Sequence, residues 1–241
     1  VKFSILTLFP EFFEILENYS IISRAIKEKQ IDLKTVNIRD FSENKHHKVD
    51  DYPYGGGPGM LMQVPPIKKA INSVKTSNSK VIYLSAQGSV LNQKKLVDLS
   101  KEEHLILLNG HYEGIDNRVI ENYVDEEISI GDYVLTGGEM ASMVLIDGIT
   151  RLLPGVLSSS ESYSDESHYR GILEYPQYTR PQNFEGFEVP EVLLSGNHKL
   201  IEDYRRREAL KNTLLKRPDL LKEEILTSEE LDILNDLKKD I

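Results

Sequence analysis

An α/β fold, with a parallel sheet covered by helices on both faces, is predicted by two features of this 241-residue sequence. Short, continuous apolar runs alternate with stretches of helical period, and three of those runs end in glycine-marked turns. Continuous apolar strands are buried on both faces, as happens when helical crossovers cover a parallel sheet. A change of composition near residue 157 predicts a second, small and mainly helical domain. The expected division is a sheet domain over 1–156, a flexible linker over 157–170 and a helical domain over 171–241.

Each element has its own signal. Residues 3–9 are β-leaning and end at Pro10, which suits a helix's first turn because its missing N–H has no partner to lose there. Phe12, Phe13, Leu16, Ile22 and Ile26 form roughly one apolar stripe, predicting a helix over 11–29. Ile31, Leu33, Val36 and Ile38 predict a strand over 31–38. Helices are expected at 66–74, 93–99, 117–123 and 139–153, and short buried strands at 81–84, 105–108 and 127–130. Residues 158–167 are small, polar and poor in core side chains, so they read as exposed linker. Pro176, Pro181 and Pro190 lead into a basic helix, and Thr227 with Glu230 makes a capping box for a last helix reaching toward Lys238.

Between the second strand and the next helix lies Tyr54-Gly55-Gly56-Gly57-Pro58-Gly59-Met60, after a polar cluster at 45–51. Four glycines in five positions open φ > 0 backbone and close approach to a ligand. Such a run is costly to order, although a hairpin tip is the ordinary reading. In parallel sheets, ligands sit beyond the carboxyl ends of strands. The loops expected there are 85–88, 109–114 and 131–138, each marked by glycine, and their convergence points to a small-molecule site.

Composition narrows the function. The 39% apolar and 28% charged shares are those of an ordinary globular protein. No apolar run approaches the roughly 20 residues of a membrane span, and no signal-peptide pattern opens the chain. Without cysteine there is no disulfide, thiolate nucleophile or cysteine-based zinc site. These features fit a cytoplasmic location without a membrane partner. A net charge of −10 argues against indiscriminate nucleic-acid binding, and no DNA partner is expected. Charge is uneven, however: residues 197–217 carry seven cations against three anions, enough to hold a polyanion locally.

The common nucleotide-binding motifs are missing. No Gly-Lys-Ser/Thr follows the glycine run, and no Gly-x-Gly-x-x-Gly follows a strand. Ser85 and Ser195 lack a nucleophile elbow, and the adjacent His46 and His47 point apart on a helix, so no metal site is expected. What remains is chemistry by carboxylates and one arginine. Arg151 closes the apolar helix, where answering the helix dipole is its ordinary role. Glu113, Asp116 and Asp132 lie in the ligand loops, and Asp165 and Glu166 in the linker.

Taken in order, the motifs resemble those of the bacterial tRNA (guanine-N1)-methyltransferases that modify guanosine 37 beside the anticodon, the TrmD family. They are Leu6-Thr7-Leu8-Phe9-Pro10-Glu11, Arg39-Asp40-Phe41, Val49-Asp50-Asp51, residues 54–60 and Val81-Ile82-Tyr83-Leu84-Ser85. They continue through residues 110–116, 125–139 and 151–157, Tyr178-Thr179-Arg180-Pro181 and residues 192–198. The resemblance implies a deep trefoil-knotted fold of the SPOUT type and a homodimer with sites at the subunit interface. It implies S-adenosylmethionine as methyl donor, a tRNA carrying G36-G37 as substrate, and a magnesium requirement for which no ligand set is legible.

By position, the implied donor site comprises Tyr83, Leu84, Ser85 and Gln87, then Gly110, Tyr112, Glu113 and Gly114. Ile130, Gly131, Asp132, Tyr133, Val134, Leu135, Gly137 and Gly138 complete it. The implied tRNA contacts are Asp50, Tyr54, Gly55, Gly56, Gly57, Pro58, Gly59, Ser167, His198 and Arg205. Arg151 matches the family's guanine-activating arginine, and the family's general base is an aspartate directly before a linker serine. Here the residue before Ser167 is Glu166, with Asp165 one place earlier. The count from Arg151 favours Glu166, and Asp165 stays open. His111 stands where many relatives carry arginine. A base on a flexible linker would be in place only once tRNA orders it, coupling transfer to correct binding. Two other readings remain: a knotted RNA-binding protein that has lost turnover through the altered base, and a nucleotide-binding regulator using the same glycine loops.

Overall fold

The computed structural model describes residues 1–157 and 166–239, so Asp165 lies outside the described residues. The chain divides into two compact units, Val1–Ser158 and Ser159–Ile241. The first unit runs β1 (Lys2–Thr7), α1 (Glu14–Asn18), α2 (Ser20–Lys27), β2 (Asp32–Asn37), β3 (Asp50–Asp51), β4 (Leu61–Met62) and α3 (Val64–Val74). It continues with β5 (Ser79–Val90), α4 (Gln93–Leu99), β6 (His104–Asn109), α5 (Asn117–Tyr123), β7 (Glu126–Ser129) and α6 (Glu139–Thr150).

Five strands form one parallel sheet in the order β2-β1-β6-β5-β7. Successive side chains along a strand point to opposite faces, and here both faces are apolar. Phe3, Ile5, Ile82, Leu84, Leu105, Leu107 and Ile128 join Ala141, Leu145, Ile146 and Ile149 of α6 with Ile22 and Ala25 of α2. Leu6, Val81, Tyr83, Ile106 and Leu108 join Ile67, Ala70 and Ile71 of α3 with Val119 of α5. The continuous apolar runs are therefore the consequence of two cores sharing one sheet.

Polar side chains pin the sheet at both ends. At the amino end, His104 is bonded by Ser4 Oγ at 2.9 Å and Ser79 Oγ at 2.7 Å, linking β1, β5 and β6. Burial, reinforced by Lys2, holds its pKa below the ordinary histidine value. At the carboxyl end, buried Asn109 donates to the Leu6 carbonyl at 2.9 Å and accepts from Ser142 Oγ at 2.6 Å, tying β1, β6 and α6 together.

Three expectations change in detail. The helix expected over 11–29 is a 3₁₀ turn at Pro10–Phe13 followed by α1 and α2, because Tyr19 is extended and Ser20 has φ +46°. The helix expected over 139–153 ends at Thr150, with Arg151 as its C-cap. The segment 85–88 is not a loop beyond a strand end. It is a bulge inside β5: Leu84 and Ser89 both pair with Ile128, so four residues are looped out and the strand resumes. Gly88 makes this possible, since a Cβ there would stand 2.5 Å from the backbone of Glu127 and Ile128.

In the second unit a two-stranded hairpin, β8 (Asn183–Phe184) and β9 (Phe187–Glu188), precedes α7 (His198–Lys216) and α8 (Ser228–Leu237). Its small core gathers Ile172, Ala209, Leu210 and Leu237. Asn197 caps α7, and the Thr227/Glu230 capping box opens α8. Glu230 also receives Arg170 at 3.0 Å. Its burial raises the pKa, but the Thr227 backbone bond and Arg170 outweigh that and hold the carboxyl below its ordinary value.

Candidate functional site

A cleft of about 200 Å³ opens at the carboxyl edge of the sheet, between the β5 bulge and the loops following β6 and β7. It collects Tyr83, Leu84, Ser85, Gln87, Gly110, Tyr112, Glu113, Gly114, Ile130, Gly131, Tyr133, Val134, Leu135, Gly137 and Gly138. Asp132, the remaining member of the expected donor set, is exposed and does not line it.

The loops reach the cleft through backbone that few side chains would allow. Gly138 N–H donates to the Gly110 carbonyl at 3.1 Å, stitching the β6 and β7 loops together. A Cβ on Gly110 would stand 2.8 Å from the Tyr83 hydroxyl, and one on Gly138 would stand 3.0 Å from Asn109 Cα. Burial, reinforced by the nearby Glu127 charge, pushes the Tyr83 pKa up to about 12 and keeps the phenol neutral. Ser129 Oγ donates to the Gly131 carbonyl at 2.9 Å and holds the start of the next loop.

The glycine run forms the tip of the β3–β4 hairpin, with φ > 0 at Gly55, Gly56, Gly57 and Gly59. Tyr54 at that tip is fully exposed, and the space around Gly55, Gly56 and Gly57 is open. The hairpin's foot is joined to the cleft. Glu113 N–H donates to the Met60 carbonyl at 3.1 Å, Met62 N–H to the Gly114 carbonyl at 3.0 Å, and a Cβ on Gly59 would collide with the Glu113 side chain. Asp50 sits half-buried opposite Met62 in the same hairpin, and Pro58 is exposed at its tip. The structure thus brings the expected tRNA-gripping loop to the expected donor pocket, with Glu113 between them.

A buried carboxylate beside the cleft closes the 125–139 motif, but nothing in the sequence assigned it a role. Glu139 opens α6 and is 5% exposed. It accepts from Thr7 Oγ1 at 2.8 Å, and its other oxygen lies 3.5 Å from His111 Nε2. The His111 ring also packs against Phe9, with centroids 4.8 Å apart. At the helix N-terminus the carboxylate gains from the macrodipole, and it fixes a cleft-lining imidazole to the end of β1.

Arg151 stands half-buried directly after α6. In the second unit, Glu166, His198 and Arg205 line one groove of about 360 Å³ with Arg170 and Arg206. Ser167 Oγ accepts from the Glu174 N–H at 3.0 Å, and the Arg205 guanidinium lies 4.8 Å over the Tyr175 ring. Among the described residues, no group of three His, Cys, Asp or Glu side chains is arranged to hold a metal ion. No described helix is long and apolar enough to cross a membrane.

The family model described as tRNA (Guanine-1)-methyltransferase TrmD matches residues 1–223. The chain is 59% identical over 223 residues to the tRNA (guanine-N(1)-)-methyltransferase of Ruminiclostridium cellulolyticum, covering 91% of this chain and 96% of the relative. It is 52% identical over 241 residues to the protein of the same name from Dictyoglomus turgidum, covering 100% of this chain and 98% of the relative. Against that of Clostridium botulinum, identity is 56% over 240 residues, with 99% of both chains covered. The chain belongs to the TrmD family of tRNA (guanine-1)-methyltransferases.

Proposed function

We propose that the protein transfers a methyl group from S-adenosylmethionine to N1 of guanosine 37 in tRNA, where guanosine 36 precedes it. The observation that carries this reading is the single cleft made by the three glycine-bearing segments, with the hairpin's foot on its rim. The cleft suits the donor. Backbone groups of the turns at Gly110, Gly131 and Gly137 can hydrogen-bond adenine, while Leu84, Ile130 and Leu135 offer apolar walls. When bound, S-adenosylmethionine would supply an electrophilic methyl group with a neutral thioether as leaving group.

The protein's own residues make guanine a nucleophile. N1 carries a proton at neutral pH, and Glu166 accepts it as the N1–methyl bond forms. Negative charge then grows on O6, where the Arg151 guanidinium stabilises it. Glu113, joined to the hairpin on one side and the cleft on the other, orients the base toward the donor. The family's magnesium requirement belongs to the same proposal.

The remaining family expectations belong to the same proposal: the trefoil knot, the cytoplasmic location and the homodimer. Exposed Phe12, Ile15, Ile21, Met140 and Val144 on the helices of the first unit support a dimer, since single monomers rarely leave so many large apolar side chains on one set of helices. The second reading, an RNA-binding protein without turnover, is favoured only by glutamate in the place of the family's aspartate.

Labelled-methyl transfer to unmodified tRNA carrying G36-G37, run with Glu166→Gln, Asp165→Asn and Arg151→Ala beside the parent, separates the two. The proposal expects turnover in the parent that collapses in Glu166→Gln and Arg151→Ala and survives in Asp165→Asn. Tight tRNA and donor binding without turnover in the parent would replace it with the second reading.

A further inference from the structure

The most exposed aromatic side chains of the second unit outside the groove described above sit on a rigid support. In the β8–β9 hairpin, Phe184 pairs directly with Phe187, so both rings lie on one face of the ribbon. They are 60% and 78% exposed. The turn between them is Glu185-Gly186, with φ +53° and +89°, the two positive angles of a tight I′ hairpin turn. Asn183 closes the ribbon twice, accepting from the Gly186 N–H at 3.1 Å and donating to Glu188 at 3.0 Å. Val189 N–H donates to the Gln182 carbonyl at 3.0 Å at its base. Two large rings are thus held in water by a ribbon that has little freedom to hide them.

The same ribbon rises from a groove of about 530 Å³ lined by Tyr178, Arg180, Gln182, Val189 and Arg205. Tyr178 is half-exposed, while Arg205 is already stacked on Tyr175. Charge sorts the surface. The tip carries the carboxylates Glu185 and Glu188 and no cation, whereas the foot carries Arg180 and Arg205. Such a surface matches aromatic faces at the tip and phosphates at the foot, the division used by proteins that hold single-stranded nucleic acid.

We propose that Phe184 and Phe187, with the groove at their foot, form a stacking subsite for unpaired nucleobases of the tRNA substrate, separate from the base that is methylated. The inference rests on the tRNA reading above and deepens it. Stacking accepts any base because each presents a π-face, so the subsite contributes affinity and position rather than sequence choice. The arginines bind the backbone between the stacked bases and make that share of the affinity salt-dependent.

The test uses the full chain and a short RNA hairpin bearing an anticodon loop, with 2-aminopurine at one loop position at a time. Binding and fluorescence quenching are measured for the parent, a Phe184→Ala/Phe187→Ala pair, a Leu pair and a Tyr pair. The proposal expects the Ala and Leu pairs to weaken binding at least about tenfold and to lose quenching at one or two positions. The Tyr pair should retain both, and the salt slope should stay unchanged in all three but fall in Arg205→Ala. Parent-like binding by the Leu pair would overturn the proposal in favour of a general apolar docking face. A shifted oligomeric state in the Ala pair with unchanged RNA binding would overturn it in favour of an interface between copies. Methyl transfer to intact tRNA is read in the same preparations. Transfer by the parent with no ring dependence of binding defeats this inference alone, and ring-dependent binding without transfer defeats only the assigned activity.

Discussion

Replacing Gly88 by alanine tests whether the β5 bulge builds the cleft. A Cβ at this position would stand 2.5 Å from the Glu127 carbonyl carbon and the Ile128 nitrogen, and 2.7 Å from the Glu127 oxygen. Ordinary contact begins at 3.4 Å, so the β7 backbone must retreat by about 0.9 Å. No rotamer can relieve a clash with backbone. Overpacking of this kind costs about 1–3 kcal/mol, and the upper half of that range fits an unyielding neighbour. For a unit of this size each kcal/mol lowers Tm by about 2–4 °C, which predicts a fall of about 4–12 °C. Gly56→Ala is the control. With φ +77° but nothing within 4 Å, it carries only left-handed strain, about 1 kcal/mol. Scanning calorimetry reads both variants, and titration with S-adenosylhomocysteine reads the cleft. Gly88→Ala should melt several degrees below Gly56→Ala and bind the analogue much more weakly. Equal melting temperatures with unchanged binding would refute the bulge's role.

Arg151→Ala should lower kcat by about 10²–10³-fold with little change in the KM for tRNA, as expected for a group that acts on transition-state charge; steady-state kinetics decides. Leu107→Ala empties a fully buried position on β6 and should cost about 2–5 kcal/mol in urea unfolding of the first unit. Burial raises the Glu126 pKa, but Lys80 at 2.8 Å and Lys95 outweigh it, so the folded carboxyl lies below its ordinary value. Its stabilisation is then complete above the unfolded pKa near about 4.3 and is lost as pH falls through the folded value. The stability gap between the parent and Glu126→Gln should therefore be widest at neutral pH and close in acid, as read by denaturant melts at stepped pH.

The sheet was legible because parallel strands buried on both faces must be continuously apolar, as Leu105 to Leu108 are. The capping box at Thr227 and Glu230 was equally plain, since it depends on residues three apart. What escaped depends on distant partners. The stripe from Phe12 to Ile26 does not reveal that Tyr19 leaves the helix, and polar residues 85–88 read as a turn when the strand resumes beyond them. Glu139 looks like an ordinary acid in a helix's first turn; Thr7 and His111, far away in sequence, make it a buried anchor of the cleft. Glycine turns after strands mark the sheet's ligand edge, so the loops around the cleft were legible. The individual donor residues came from the family resemblance; of these Asp132 does not line the cleft, while Ile128, Ser129 and Ala141 line it without having been expected.

The identity of the product decides whether the protein methylates N1 of guanosine 37. Unmodified tRNA carrying G36-G37 is incubated with the protein and S-adenosylmethionine, then digested and examined by mass spectrometry, with a G37→A transcript beside it. The expected product is 1-methylguanosine at position 37, formed over many turnovers and absent from the G37→A transcript. Methylation at another atom or position, or none despite bound donor and tRNA, would contradict it.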